Sequence, residues 1–165
     1  MDIQTAITEQ IQLRACAFTG HRDLQDETLQ DSLYIALQSL INQGVRVFYN
    51  GGAKGFDLLA AELVLRLKQE YATTPIRLIL CVPCPKQDSA YSPADKARYA
   101  RVLREADEVI SLAERYFRGC MQNRDRYMAD RADVLVAYLR KDTGGTAYTV
   151  RYFTKKYPQK QLVLL

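Results

Sequence analysis

Apolar residues along this chain fall into two patterns. Short, near-continuous runs mark strands buried on both faces, and stretches with an apolar residue every three or four positions mark amphipathic helices. Leu13 to Phe18 is the first run and stops at Thr19-Gly20. Leu29, Leu33, Leu37, Leu40 and Ile41 then recur at helical spacing, and Asn42-Gln43-Gly44 supplies a stop. Val45 to Tyr49 is a second strand, closed by Asn50-Gly51-Gly52, and Phe56, Leu59, Ala60, Leu63 and Leu67 mark a second helix. Ile76 to Val82 is a third strand, ended by Pro83. Pro93 suits the first turn of a helix running to about Ala106. Glu108 to Leu112 reads as a short strand, Met121 to Arg131 as a helix and Val134 to Leu139 as a strand. Ala147 to Lys156 reads as the last helix and Leu162 to Leu165 as a closing strand. Residues 1–11 read as a helical or frayed lead-in.

Apolar strands separated by helices call for parallel pairing and right-handed crossovers. The pattern therefore predicts an α/β fold: a doubly wound, Rossmann-like three-layer sandwich around a mainly parallel sheet. No repeat, low-complexity tract or linker divides the chain, so residues 1–165 read as one domain. Hydrophobic residues make up 48% and charged residues 25%, an ordinary globular balance that excludes disorder, collagen and coiled coil. No apolar run approaches the ~20 residues of a membrane span. The start, MDIQTAITEQIQLR, lacks the basic and apolar segments of a secretory leader. Of four cysteines, Cys81 and Cys84 form a C-x-x-C, with no second pair and with His21 as the single histidine. A structural zinc site wants four ligands, so no metal is expected, and the thiols read as reduced in a cytoplasmic protein. The net charge of +4 suits an anionic small ligand. It is not gathered into one tract, as a nucleic-acid binder would have it.

In a doubly wound sheet, ligands bind beyond the carboxyl ends of the strands, where the strand order reverses. The residues just after each strand are polar and glycine-rich here. After the first come Thr19, Gly20, His21 and Arg22, with a hydroxyl, a glycine turn and donors for phosphate or carboxylate. Alternatively, Asp23 or Asp26 caps the next helix and the basic pair is merely solvated. After the second comes Asn50-Gly51-Gly52-Ala53-Lys54-Gly55-Phe56-Asp57. Gly51, Gly52 and Gly55 leave backbone amides to face a phosphate at a helix start, or they simply make the turn. This is neither the P-loop nor the dinucleotide pattern. After the third strand, Gln87 can bond a base or sugar and Tyr91 can stack on one. Met121, Arg124 and Met128 share a helical face, which aims Arg124 into a cleft or sends it out to solvent, paired with Asp133. Gly144, Gly145 and Thr146 open the last helix as a second anion site, or as a loop with a cap.

Taken together, FTGHR at 18–22, GGAKGFD and AAE within 51–62, PCPKQD at 83–88, GCMQNRDRYMADRADVLVAY at 119–138 and GGTAYTV at 144–150 resemble the YpsA/YoqJ-like family. This is a family of bacterial and phage proteins, mostly without an assigned activity, within the SLOG superfamily of Rossmann-like domains, named after Smf/DprA and LOG proteins. The resemblance covers residues 14–165. It implies a nucleotide, nucleotide sugar or NAD-derived ligand. The LOG branch cleaves nucleoside 5′-monophosphates to free base and ribose 5-phosphate, with an M-x-x-R-K helix and a P-G-G-x-G-T-x-x-E loop. Met121 and Arg124 match the first motif, and Gly144, Gly145 and Thr146 a shortened second one. Asp125 stands at the lysine position and Thr149 near that of the catalytic glutamate.

Cleaving an N-glycosidic bond needs a carboxylate to activate water and stabilise oxocarbenium character. Asp57 and Glu62 are the replacement candidates, with Arg124 beside them. Three readings follow. The first is a sensor-type binding domain for a nucleotide-like anion. Thr19, Gly20, His21, Arg22, Gly51, Gly52, Gly55, Gln87, Gly144, Gly145 and Thr146 would contact the ligand, with no resident cofactor. The second is a nucleoside-monophosphate or NAD-derivative hydrolase using Asp57, Glu62 and Arg124. The third, and least favoured, is a single-stranded nucleic-acid binder of DprA type, using the arginines of the second half with Tyr116 and Phe117. Relatives of this architecture often dimerise through helices, so a homodimer is a candidate assembly.

Overall fold

Six parallel strands form one sheet, in the order β4-β3-β2-β1-β5-β6, with helices on both sides. The computed structural model describes residues 13–165. The lead-in read at residues 1–11 lies outside them. In chain order the elements are β1 (Arg14–Gly20), α1 (Leu29–Asn42), β2 (Val45–Asn50), α2 (Phe56–Glu70), β3 (Arg77–Val82) and α3 (Pro93–Glu105). There follow β4 (Glu108–Ser111), α4 (Cys120–Arg131), β5 (Val134–Tyr138), α5 (Gly144–Lys156) and β6 (Gln161–Leu164). The strand–helix alternation and the Rossmann-like architecture expected from the sequence are present, and every strand pair is parallel. Among the described residues no helix is long and apolar enough to cross a membrane.

Two boundaries moved by more than one residue, both at the carboxyl edge of the sheet. β1 carries on through Thr19 and Gly20, because these pair with Ala137 and Tyr138 of β5. α5 begins at Gly144 rather than Ala147. Pattern reading misses both because a threonine and glycines carry no apolar signal.

The sheet is built unequally on its two faces. Cys16, Phe18, Phe48, Leu78, Leu80, Val134 and Val136 face α1, α2 and α3 in one large apolar cluster. Ala15, Ala17, Val47, Ile79 and Leu135 face α4 and α5, where Met128, Ala129 and Phe153 cover them. Successive strand residues point to opposite faces, so β1 shows phenylalanine to one layer and alanine to the other.

Aromatic rings carry the first layer up to the edge where ligands bind in such folds. Phe18 stacks on Phe48 with centroids 6.1 Å apart and meets Phe56 edge-on at 6.2 Å. Phe56 in turn stacks on Tyr138 at 6.0 Å, and Tyr138 meets His21 edge-on at 5.8 Å. Gly20 makes room for this row: a Cβ there would lie 2.2 Å from Cγ of Phe56. Phe56 is fully buried and cannot swing aside. Gly20→Ala should therefore destabilise the fold by about 1–3 kcal/mol, as overpacked cores do, with chemical denaturation as the measurement.

Candidate functional site

The chain runs from β1 to β4 in one direction along the sheet and then returns to place β5 on the other side of β1. At that reversal the loops leaving β1 and β5 part and leave a crevice. A cleft of about 330 Å³ lies there. Thr19, Gly20, His21 and Arg22 line it from β1, and Gly144, Gly145 and Thr146 from the start of α5. Asp57 of α2 and Arg124 of α4 complete it. Nine residues chosen from the sequence thus share one cavity.

Arg124 decides the electrostatics of this cleft. It is 4% exposed, and a guanidinium so buried needs acceptors around it. Its Nε donates to Oδ1 of Asp125 at 2.7 Å, and its Nη1 donates to the carbonyl of Gly51 at 2.6 Å and to Oε1 of Gln87 at 3.5 Å. Gly51 has to lack a side chain for this, since a Cβ would lie 2.7 Å from Cζ of Arg124 and 2.8 Å from Oδ2 of Asp57.

The first glycine loop works inward. The amide of Gly52 donates to Oδ1 of Asn50 at 2.8 Å, and that of Ala53 donates to Oδ2 of Asp57 at 3.3 Å. The Gly52 carbonyl accepts from the Tyr91 hydroxyl at 3.0 Å. Gln87 donates to the Gly51 carbonyl at 3.1 Å and to the Tyr99 hydroxyl at 2.9 Å. Gly55, with φ at +79°, passes so close to the Arg22 backbone that a Cβ would sit 2.2 Å from its carbonyl oxygen. Gly51, Gly52, Gly55 and Gln87 therefore brace the buried end of the cleft and do not line it. Tyr91, read as a stacking candidate, is buried behind that loop.

Glu62 is placed elsewhere. It lies at the contact between α2 and α3, ion-paired with Arg98, whose Nε donates to its Oε1 at 2.9 Å. Asp57 is thus the acid, of the two selected, that reaches the cleft. It is 5% exposed, and burial pushes its carboxyl up to about 6, the Arg124 charge holding it back from going further and Asp125 adding to the rise. At neutral pH this carboxyl lies close to its own titration. His21 is held the other way. Burial, with the charges of Lys141 and Arg140, lowers its pKa below the usual imidazole value. Its Nε2 accepts the Arg140 backbone N–H at 2.8 Å, which leaves the ring proton on Nδ1.

Two charged lining residues were not chosen from the sequence. Lys141 lies three residues past β5, as Arg22 lies two past β1, so attention to the charged residues just past each strand would have found it. Asp125 was read only as a mismatch to a lysine. Its Oδ2 accepts from the Thr149 hydroxyl at 3.3 Å, so the acid missing from α5 has a counterpart facing that position from α4. The C-x-x-C holds no bridge. All four cysteines are free and buried, and burial, with Cys120 beside it, raises the pKa of the Cys84 thiol.

A family model described as the YspA SLOG family matches residues 15–164. A UPF0398 protein of Halalkalibacterium halodurans is 32% identical over 125 residues, covering 74% of this chain but only 65% of that protein. The SPbeta prophage-derived protein YoqJ of Bacillus subtilis (strain 168) is 31% identical over 147 residues, covering 81% of this chain and 85% of YoqJ. Among solved structures, DNA processing protein A from Helicobacter pylori superposes with a TM-score of 0.65 at 22% identity, over 99% of this chain and 68% of that one. DprA from Streptococcus pneumoniae gives a TM-score of 0.67 at 18% identity, over 92% of this chain and 50% of that one. At these identities the two structures share the fold.

Removing Arg124 would leave Asp57 and Asp125 without their common cation, so Arg124→Ala should cost about 3–5 kcal/mol in denaturant unfolding. Asp57 gives a pH signature. Its folded pKa lies above the unfolded value of 3.8, so its contribution is fully present below that value and is lost as pH rises through 6. The stability of the wild type minus that of Asp57→Asn should therefore fall by about 2–3 kcal/mol between pH 4 and pH 8. The His21 contribution is common to both proteins and cancels.

Proposed function

This chain belongs to the YpsA family of SLOG proteins, and from that premise we propose that its cleft binds the phosphate-bearing end of a nucleotide or nucleotide-derived small molecule. The observation that carries the reading is a charge imbalance. Arg124 is matched by Asp125 and Asp57, whereas Arg22 and Lys141 line the same cleft without an ion pair to any described residue. Three cations against two carboxylates leave the cleft one positive charge in excess, and with the amino end of α5 and Thr146 beside it this favours an anion there. Position supports the same reading, because open α/β sheets bind ligands at the strand-order reversal. The anion contacts in this reading come from Thr19, Arg22, Lys141, Gly144, Gly145 and Thr146. Asp57 accepts from a sugar hydroxyl.

A second reading rests on Asp57 alone. A buried carboxyl with its pKa pushed up to about 6 can give and take a proton near neutral pH. In that reading the bound nucleotide loses its base, with Asp57 activating water. Both readings are separated by one experiment: a thermal-shift panel of nucleoside monophosphates, ADP-ribose, NAD and nucleotide sugars, with chromatography of each sample for free base. A bound ligand at one hundred times its dissociation constant adds about 2.7 kcal/mol, or roughly 5–10 °C for a chain of this size. Binding should raise the midpoint by that much and fail in an Arg22→Ala, Lys141→Ala double variant. Free base that disappears in Asp57→Asn would make the protein a hydrolase. A flat panel would overturn the phosphate reading. It would favour instead a single-stranded nucleic acid, which the Helicobacter pylori neighbour binds.

A further inference from the structure

A second cavity of about 470 Å³ opens beside the cleft, between the segment before α4 and the first turns of α5. The two share Gln122, Gly144 and Gly145 as lining, so they are adjoining parts of one depression. Their chemistry differs. The cleft holds cations and carboxylates, whereas the second cavity has no acidic lining residue and presents two aromatic rings, Phe117 and Tyr148, with Arg118 and Arg126. We infer that this second cavity takes the aromatic base of the ligand whose phosphate sits in the cleft, so that the protein recognises a whole nucleotide rather than a sugar phosphate. The inference rests on the phosphate reading above.

The aromatic groups here are placed for a flat partner. Phe117 is 44% exposed, an apolar ring left in water on a loop. Tyr148 is held in place: its hydroxyl accepts from Nη1 of Arg126 at 3.0 Å, and its ring stacks on Tyr152 with centroids 6.4 Å apart. A fixed tyrosine, an open phenylalanine and guanidinium planes are the groups on which bases stack, whatever the base. Gln122, at the junction, carries both a donor and an acceptor for a base edge or a ribose hydroxyl.

Gly145 supplies an independent argument. It is the second residue of α5, in the helix's first turn. Its backbone does not require glycine, since it is not among the positive-φ residues. Packing does not require it either: a Cβ would meet nothing within 4 Å. What glycine keeps open is the passage between the two cavities.

Calorimetric titration of the full chain with the four nucleoside 5′-monophosphates and with ribose 5-phosphate tests this. Each nucleotide should bind about tenfold or more tightly than ribose 5-phosphate, the effect of one stacked base. Phe117→Ala should bring nucleotide affinity down toward that of ribose 5-phosphate, leave ribose 5-phosphate unchanged and leave the unfolding midpoint unchanged. Equal affinity of the wild type for nucleotides and ribose 5-phosphate would overturn the inference while the phosphate reading stands. So would a preference that survives in Phe117→Ala. Binding of neither would overturn both. A thymidine oligomer bound in place of mononucleotides, with affinity falling steeply with salt and lost in Phe117→Ala, would overturn the inference in favour of single-stranded nucleic acid.

Discussion

A buried guanidinium sets the terms for this end of the molecule. Arg124 cannot shed its charge, and at 4% exposure it cannot share that charge with water. The structure must therefore bring acceptors to it from distant parts of the sequence. The Gly51 carbonyl comes from the loop after β2, Gln87 from the loop after β3 and Asp125 from α4 itself. The approach is possible because Gly51 has no side chain, and because small residues such as Ala15 and Ala17 on that face of β1 leave α4 room against the sheet. One side chain thus ties three segments into the floor of the cleft.

The same constraint divides the cleft by charge. Two carboxylates are drawn to Arg124, and one of them, Asp57, is so poorly solvated that its proton is held close to neutral pH. The cations nearer the rim, Arg22 and Lys141, form no ion pair among the described residues. A ligand with a negative end and a hydroxyl-bearing body fits that polarity, anion toward the rim and donors toward the buried acid.

The fold was legible because parallel strands, buried on both faces, print themselves as apolar runs. The position of the cleft followed from the strand order, and the residues after β1 and before α5 were visible as polar and glycine-rich exits. The loop after β2 was legible as a turn but not in its direction. Glycines read alike whether their amides face a ligand or, as at Gly52, a neighbouring asparagine. Glu62 looked available because its partner, Arg98, lies 36 positions away on another helix. Asp125 looked like a defect because its partner Thr149 sits across a helix pair that the sequence does not place side by side. What failed in each case was the choice of partner, which tertiary proximity makes and residue type does not.

The thiols give the protein an internal set of clocks. Cys16 and Cys81 lie in the sheet, while Cys84 and Cys120 lie together beside the floor of the cleft, and all are buried and unbridged. An alkylating reagent reaches a buried thiol only when the chain around it opens. Modification of Cys16 therefore counts global unfolding, whereas modification of Cys84 and Cys120 counts local opening of the segments that hold the floor. The ratio of the two rates measures how far the ligand end breathes independently of the sheet, with no substitution made in the chain.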